Sequence, residues 1–62
     1  MSKKLDEKQT AERLNTATAT LRRWRWAGIG PAYIKVGRLV RYDEDDLDAY
    51  LKSRRVEPQA AA

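Results

Sequence analysis

The residues Leu21-Arg22-Arg23-Trp24-Arg25 combine two apolar side chains, three positions apart, with three arginines. Residues i and i+3 of an α-helix lie on one face, so Leu21 and Trp24 predict a buried seam. Burial of that seam turns Arg22 and Arg23 outward. The motif therefore predicts a helix whose inner face helps to build a core and whose outer face is cationic.

A shorter helix is predicted before this motif, over about residues 7–14. Asp6 is a suitable N-cap, and Gln9 three residues later completes a capping-box pattern. Asn15 readily takes the left-handed conformation that ends a helix.

The helix that contains the arginines follows after a tight turn. Thr16 or Thr18 is expected to cap its start, and the helix is expected to run to about Trp26 or Ala27, with Gly28 as its stop. Two short helices joined in this way are typical of a helix-turn-helix unit.

A β-hairpin is predicted next. Residues 33–36 and 39–42 are rich in β-branched and aromatic side chains, and only Gly37-Arg38 separates them. A two-residue loop with glycine first is typical of a type II′ turn. Arg38 would then stand at the tip, with Lys35 and Arg41 on the arms.

A third helix is expected to open at Asp43, because acidic residues in a first turn complement the helix dipole. Leu47, Tyr50 and Leu51 supply its apolar stripe. The fold class expected is therefore mainly α with a β-hairpin: a small winged helix-turn-helix with three short helices and a two-stranded wing. We expect a flexible N-terminus at 1–4, one domain at 5–55 and a flexible tail at 56–62.

The composition excludes several functions. The 62 residues include no Cys and no His, which removes disulfides, thiolate metal sites and imidazole catalysis. The acidic residues of the third helix are explained by capping, so we expect no enzyme activity, no metal and no cofactor. No apolar run has the length of a membrane span.

The positive charge is segregated. The net charge is +4, and no acidic residue lies between Arg13 and Tyr42. A basic segment of this length is typical of a surface that binds a polyanion. Duplex DNA fits best, because a short helix suits the major groove and arginine can contact guanine or phosphate.

Candidate contact residues follow from these elements. On the second helix they are Arg22 and Arg23 on the outer face and Thr18 and Thr20 near the start. Arg38 suits a minor groove, with Lys35 and Arg41 on adjacent phosphates. Arg25 lies on the flank and is expected either to contact a phosphate or to be an ordinary surface residue.

A second tryptophan, Trp26, directly follows the motif, and its position in the helix has two interpretations. Trp26 points away from Leu21 by helical phase, but it lies at the helix end, where the chain returns. Packing against residues 31–33 is favoured over stacking on DNA.

The order of these parts resembles the excisionase family of winged helix-turn-helix proteins, which is related to MerR-type DNA-binding domains and includes AlpA-like regulators. The resemblance covers about residues 5–51. Its most specific parts are Leu-Arg-Arg-Trp at 21–24, Lys-Val-Gly-Arg at 35–38 and Asp-Leu-Asp-Ala-Tyr-Leu at 46–51.

The resemblance implies that the second helix enters the major groove and the wing the adjacent minor groove. By position it assigns major-groove contacts to Thr18, Ala19, Thr20, Arg22 and Arg23, and a minor-groove contact to Arg38.

The resemblance also implies a recombination directionality factor, with attachment-site or promoter DNA and a tyrosine integrase as partners. Copies would associate cooperatively on DNA, in a bacterial, nucleoid-associated cytoplasmic setting without a membrane partner. An AlpA-like transcription regulator that uses the same contacts is the first alternative. A module that docks an acidic protein is the second.

Overall fold

A computed structural model describes residues 2–58, and this part of the chain contains three helices and a three-stranded antiparallel sheet. In chain order the elements are β1 (Lys4–Leu5), α1 (Glu7–Arg13), α2 (Thr18–Ala27), β2 (Ile34–Val36), β3 (Leu39–Asp43) and α3 (Glu44–Ser53). Helices α1 and α2 form the helix-turn-helix, and β2 and β3 form the wing. The predicted small winged helix-turn-helix is confirmed. Within the described residues, no helix is both long enough and apolar enough to cross a bilayer.

Helix α1 begins as the sequence predicts and ends one residue earlier. The Gln9 backbone N–H donates to Asp6 Oδ1 at 2.7 Å, and the Asp6 N–H donates to Gln9 Oε1 at 3.0 Å. These reciprocal bonds are the predicted capping box. Asn15 follows the helix with a φ of +54°, which is the predicted left-handed conformation.

The start of α2 differs from the prediction. Ala17 occupies the N-cap position with an extended backbone, and its methyl group makes no capping hydrogen bond. The expected cap at Thr16 or Thr18 is therefore wrong, because the turn places the one residue without a side-chain oxygen at that position. The other end agrees with the sequence, since α2 stops at Ala27.

The wing is a hairpin with a two-residue turn. Ile34 lies opposite Arg41, and Val36 lies opposite Leu39. Gly37 supplies a φ of +60°, whereas Arg38 has no positive φ. This combination agrees with the predicted type II′ turn.

A third strand, which the sequence did not predict, completes the sheet in the order β1-β3-β2. Lys4 pairs with Asp43, and Leu5 pairs with Tyr42. Lys4 therefore belongs to the sheet and not to the flexible segment expected at 1–4. Residues 4–5 form a strand because the second edge of β3 carries backbone N–H and C=O groups that need hydrogen-bond partners.

Asp43 joins β1 to α3. Its carboxylate accepts hydrogen bonds from Lys4 Nζ at 2.8 Å, from Ser2 Oγ and, as the N-cap of α3, from the Asp45 N–H at 2.8 Å. The bond from Lys4, followed by the bond from Ser2, holds the pKa of Asp43 well below its usual range. The cap therefore stays ionised and fastens the N-terminal strand to the start of the last helix.

The core lies between the helix-turn-helix and the sheet. Its buried apolar side chains come from five elements: Leu5, Ala11, Leu21, Tyr42 and Leu47. Trp24 packs against this cluster, which confirms the predicted seam. Of the stripe predicted on α3, Leu47 is fully buried, but Leu51 is exposed. The predicted tail begins at an exposed Val56, and residues 59–62 lie outside the described part of the chain.

Gly30 packs directly on Trp24. It has a φ of +91°, and a Cβ at this position would lie 3.0 Å from both Cβ and Cε3 of Trp24. Gly28 has a similar φ of +73°, but a Cβ there would meet no atom within 4 Å. An alanine at either position has the energetic cost of a left-handed backbone, but only an alanine at position 30 also clashes with Trp24. Comparison of the two variants therefore separates these costs.

Replacement of Gly30 by alanine should destabilise the domain more than replacement of Gly28. We expect Gly28→Ala to lower the free energy of unfolding by about 1–2 kcal/mol, the cost of a left-handed L-residue. Gly30→Ala should cost about 1–3 kcal/mol more, because the core would be overpacked. Urea unfolding followed by circular dichroism measures both values, and equal losses would contradict the contact with Trp24.

Candidate nucleic-acid interface

The outer face of α2 carries the helical residues predicted to contact DNA. Arg22 and Arg23 are exposed, because the buried seam occupies the opposite side of the helix. Ala19 is exposed as well, whereas Thr18 and Thr20 are half-buried. The two arginines are thus the prominent charges of this face.

The wing carries the other predicted contacts. Arg38 at the turn and Lys35 on β2 are exposed, and Arg41 on β3 is half-buried. Arg41 Nη1 donates to the carbonyl oxygen of Val40 at 2.8 Å, so its guanidinium is held against its own strand. The wing therefore offers one free-standing cation at its tip and two along its arms.

Two shallow grooves between α2 and the wing share a central wall, and we call them together the cationic groove. The shared wall consists of Arg22, Arg25, Arg38 and Val40. On one side the groove continues along Trp26, Tyr33 and Lys35. On the other side it continues along Asp6, Glu7, Lys8, Leu39 and Arg41.

Four predicted contacts therefore meet in one place, namely Arg22, Lys35, Arg38 and Arg41. Of the other predicted residues of α2, Arg25 belongs to the shared wall, whereas Thr18, Ala19, Thr20 and Arg23 do not line the groove. The helix and the wing thus present their cations to a shared opening.

Arg25 points into the molecule. Its side chain is only 18% exposed, and its Nη1 lies 2.7 Å from Glu7 Oε1. The same nitrogen donates to the Tyr42 hydroxyl at 2.9 Å, and the guanidinium carbon lies 5.9 Å from the centre of the Tyr33 ring. Arg25 links α2 to α1 and to the wing, so it is not an ordinary surface residue, and its phosphate contact stays a prediction.

Arg25 stays positively charged although its side chain is largely covered. Burial by itself lowers the pKa of the guanidinium, but the contacts with Tyr42 and Glu7 outweigh it and raise the pKa above its ordinary value. The side chain thus acts as a permanently charged cross-link.

Glu7 is the functional residue that the sequence analysis missed. Its Oε2 lies 3.3 Å from Arg22 Nε, in addition to the contact of Oε1 with Arg25. The basic segment contains no acid, yet α1 brings this carboxylate into it from 15 residues before Arg22. The helix dipole alone explains an acidic residue in the first turn of a helix, so nothing in the sequence pointed to this second role of Glu7.

The first arginine of the basic segment lies elsewhere. Arg13 contacts Glu44 at 3.2 Å and Asp48 at 3.8 Å on α3. These pairs neutralise part of the acidic helix. Within residues 2–58, no group of three or more potential ligand side chains is arranged to hold a metal ion.

Trp26 does not pack as expected. It is 92% exposed, whereas the sequence favoured burial against residues 31–33. The chain that follows α2 packs on the other tryptophan, since Gly30 lies against Trp24. Trp26 is left in the cationic groove.

A family model described as a helix-turn-helix domain matches residues 5–55. This family includes excisionase-like and AlpA-like DNA-binding proteins. The match covers both helices of the helix-turn-helix, the wing and α3, and thus the whole cationic groove. No curated protein and no solved structure matches the chain.

The contrast between Arg25 and Arg38 gives a test of the site. Arg25→Gln should lower the free energy of unfolding by about 1.5–3 kcal/mol, because the hydrogen bond of a charged group to Tyr42 is lost and Glu7 Oε1 loses its cation, while Glu7 Oε2 keeps its contact with Arg22. Arg38→Ala should change it by less than about 0.5 kcal/mol, since the side chain is at an exposed tip. Urea unfolding measures both, and a stable Arg25→Gln variant would refute the cross-link.

Proposed function

Because this chain belongs to the helix-turn-helix domain family and is a DNA-binding helix-turn-helix protein, we propose that it is an excisionase. In this role it binds specific duplex sites, shapes the DNA and promotes the excision of a mobile element or prophage by an integrase. It acts by binding and not by catalysis.

The observation that carries the proposal is that Arg22 of α2 and Arg38 of the wing line one groove. A helix in the major groove and a wing in the adjacent minor groove contact the same face of a duplex. Such an arrangement needs the two cations on one side of the protein. Their shared groove meets that requirement.

Helix α2 has a suitable size for the major groove. Its ten residues make a rod of about 15 Å. The contact between Glu7 and Arg22 uses Nε, whereas an end-on bidentate contact to guanine uses the two Nη groups. Glu7 can therefore orient Arg22 without taking the nitrogens that read the base.

The wing cations Lys35 and Arg41 contact the phosphates beside the minor groove, and Arg23 contacts the major groove beside Arg22. Together with Arg22 and Arg38, these residues bring five positive charges to the duplex. Displacement of about five counterions implies a slope of log affinity against log salt of about −4.5. Electrostatic attraction of this kind brings the protein to DNA but does not select the sequence.

The excision role draws its support from the resemblance of the three motifs and from the family match. A factor of this kind binds several neighbouring sites, associates cooperatively and bends the DNA so that the integrase can act on it. A transcription regulator would use the same helix and wing, and the pattern of bound sites distinguishes the two roles.

Reversal of the charges on α2 should abolish site recognition. We expect Arg22→Glu with Arg23→Glu to weaken binding to an attachment-site fragment by at least about 100-fold, because each lost bidentate contact costs about 1–3 kcal/mol and repulsion adds to this. Titration with labelled DNA at constant salt measures the loss. The matched control is Lys52→Glu with Arg55→Glu, which makes the same change of net charge on a separate surface formed by the end of α3 and the residues after it.

The control should retain most of the affinity. If both double variants lost binding equally, only net charge would matter. If the first variant still bound the site, α2 would not be the recognition helix.

Footprinting together with an excision assay tests the biological role. We expect several protected segments side by side on attachment-site DNA and loss of excision in a deletion strain, with rescue by the wild-type chain but not by the double variant of α2. A single protected palindrome at a promoter, with normal excision, would identify a regulator. No affinity for duplex DNA at physiological salt would instead favour a module that docks an acidic protein.

A further inference from the structure

Trp26 is the one feature of the cationic groove that neither the fold nor the charge of the site explains. It is 92% exposed and lies on the outer face of α2, one turn after Arg22 and Arg23. It lines the groove beside Tyr33 and Lys35. Together with the partly exposed Tyr33, the indole forms an apolar surface rimmed by cations, and such a surface is typical of an interaction site.

The core does not require this side chain. Trp24, two residues earlier, already supplies the indole that packs against Gly30 and lies 6.3 Å from the Tyr50 ring. Trp26 faces away from that contact. Its removal should therefore leave the folded interior unchanged.

The position of the groove identifies what lies over Trp26. When α2 occupies the major groove and the wing the neighbouring minor groove, the strand that separates these two grooves must pass between α2 and the wing. That strand presents phosphates and deoxyribose rings, not base edges. This step rests on the function proposed above.

The chemistry of the groove fits a sugar–phosphate strand. Arg22, Lys35 and Arg38 supply cations for phosphates. The flat indole offers apolar area for a deoxyribose ring, and its Nε1–H is a donor that a phosphate oxygen can accept. A protein partner would have to cover the same indole while also neutralising three cations.

We propose that Trp26 is a backbone-binding residue that packs on the deoxyribose of the strand between the two grooves and donates Nε1–H to its phosphate. Because every nucleotide carries this sugar and phosphate, Trp26 strengthens binding without selecting the sequence. Because Trp26 carries no charge, its contact with the DNA backbone displaces no counterion from the DNA.

The test compares the dissociation constants of three variants for an attachment-site duplex and for a duplex of random sequence. Trp26→Ala should weaken binding to both by about tenfold, and Trp26→Phe should lie between Trp26→Ala and the wild type, since it keeps a ring but loses the donor. Leu51→Ala is the control, because Leu51 is also exposed but lies on α3. Thermal unfolding checks that the folded state is unchanged.

The dependence on salt separates this role from that of the cations. Trp26→Ala should keep the slope of the wild type, whereas Arg38→Ala should lower its magnitude by about 0.9. The tryptophan emission of the wild type should also become less accessible to acrylamide when DNA is bound.

Each outcome has one meaning. If the wild type bound no duplex DNA, the proposed function itself would fail. If the wild type bound DNA and Trp26→Ala bound a single site equally well, only the inference about Trp26 would fail. Loss of cooperativity on several sites, with unchanged affinity for one site, would assign Trp26 to contacts between copies and overturn it.

Discussion

The half-buried guanidinium of Arg25 is the group that connects the elements around the site. It joins Glu7 of α1, Tyr42 of β3 and, through its face, Tyr33 at the start of the wing. A domain of this size has a small core, so apolar packing alone gives few restraints on the angle between a helix and a hairpin. A charged group with several partners restrains direction as well as distance. Arg25 thereby connects α2, which carries Arg22, to the wing, which carries Arg38, and all three residues line the groove.

The charges of the chain are divided between two tasks. Lys4 and Arg13 are paired with carboxylates at Asp43 and on α3, and Arg25 is paired with Glu7. These cations hold elements together and contribute little to the field outside the molecule. Arg22, Lys35, Arg38 and Arg41 line the groove, and Arg23 is exposed on α2 outside it; together these positive charges attract a polyanion. The list of ion pairs therefore identifies the interface better than the net charge of the chain does.

The parts that the sequence predicted correctly are those decided by neighbouring residues. The capping box of α1, the turn at Gly37 and the seam of α2 each depend on positions one to four apart, and each formed as expected. The role of Glu7 and the strand β1 were not predictable in this way, because their partners lie far away along the chain. Ala17 occupies the N-cap position of α2 against its propensity, so the preference of the neighbouring threonines for that position did not decide where the helix begins.

The two tryptophans show how the fold and the interface constrain each other. They are two positions apart, so helical geometry places their side chains about 200° apart around α2. One therefore must face outward once the other packs on Gly30. A larger domain could cover the second indole with another layer, but here the wing is the neighbouring element, and the groove between α2 and the wing leaves Trp26 exposed. Arg25 joins the helix to the hairpin in the wall of this groove, so the contact that connects the two elements also borders the surface that is open to a ligand.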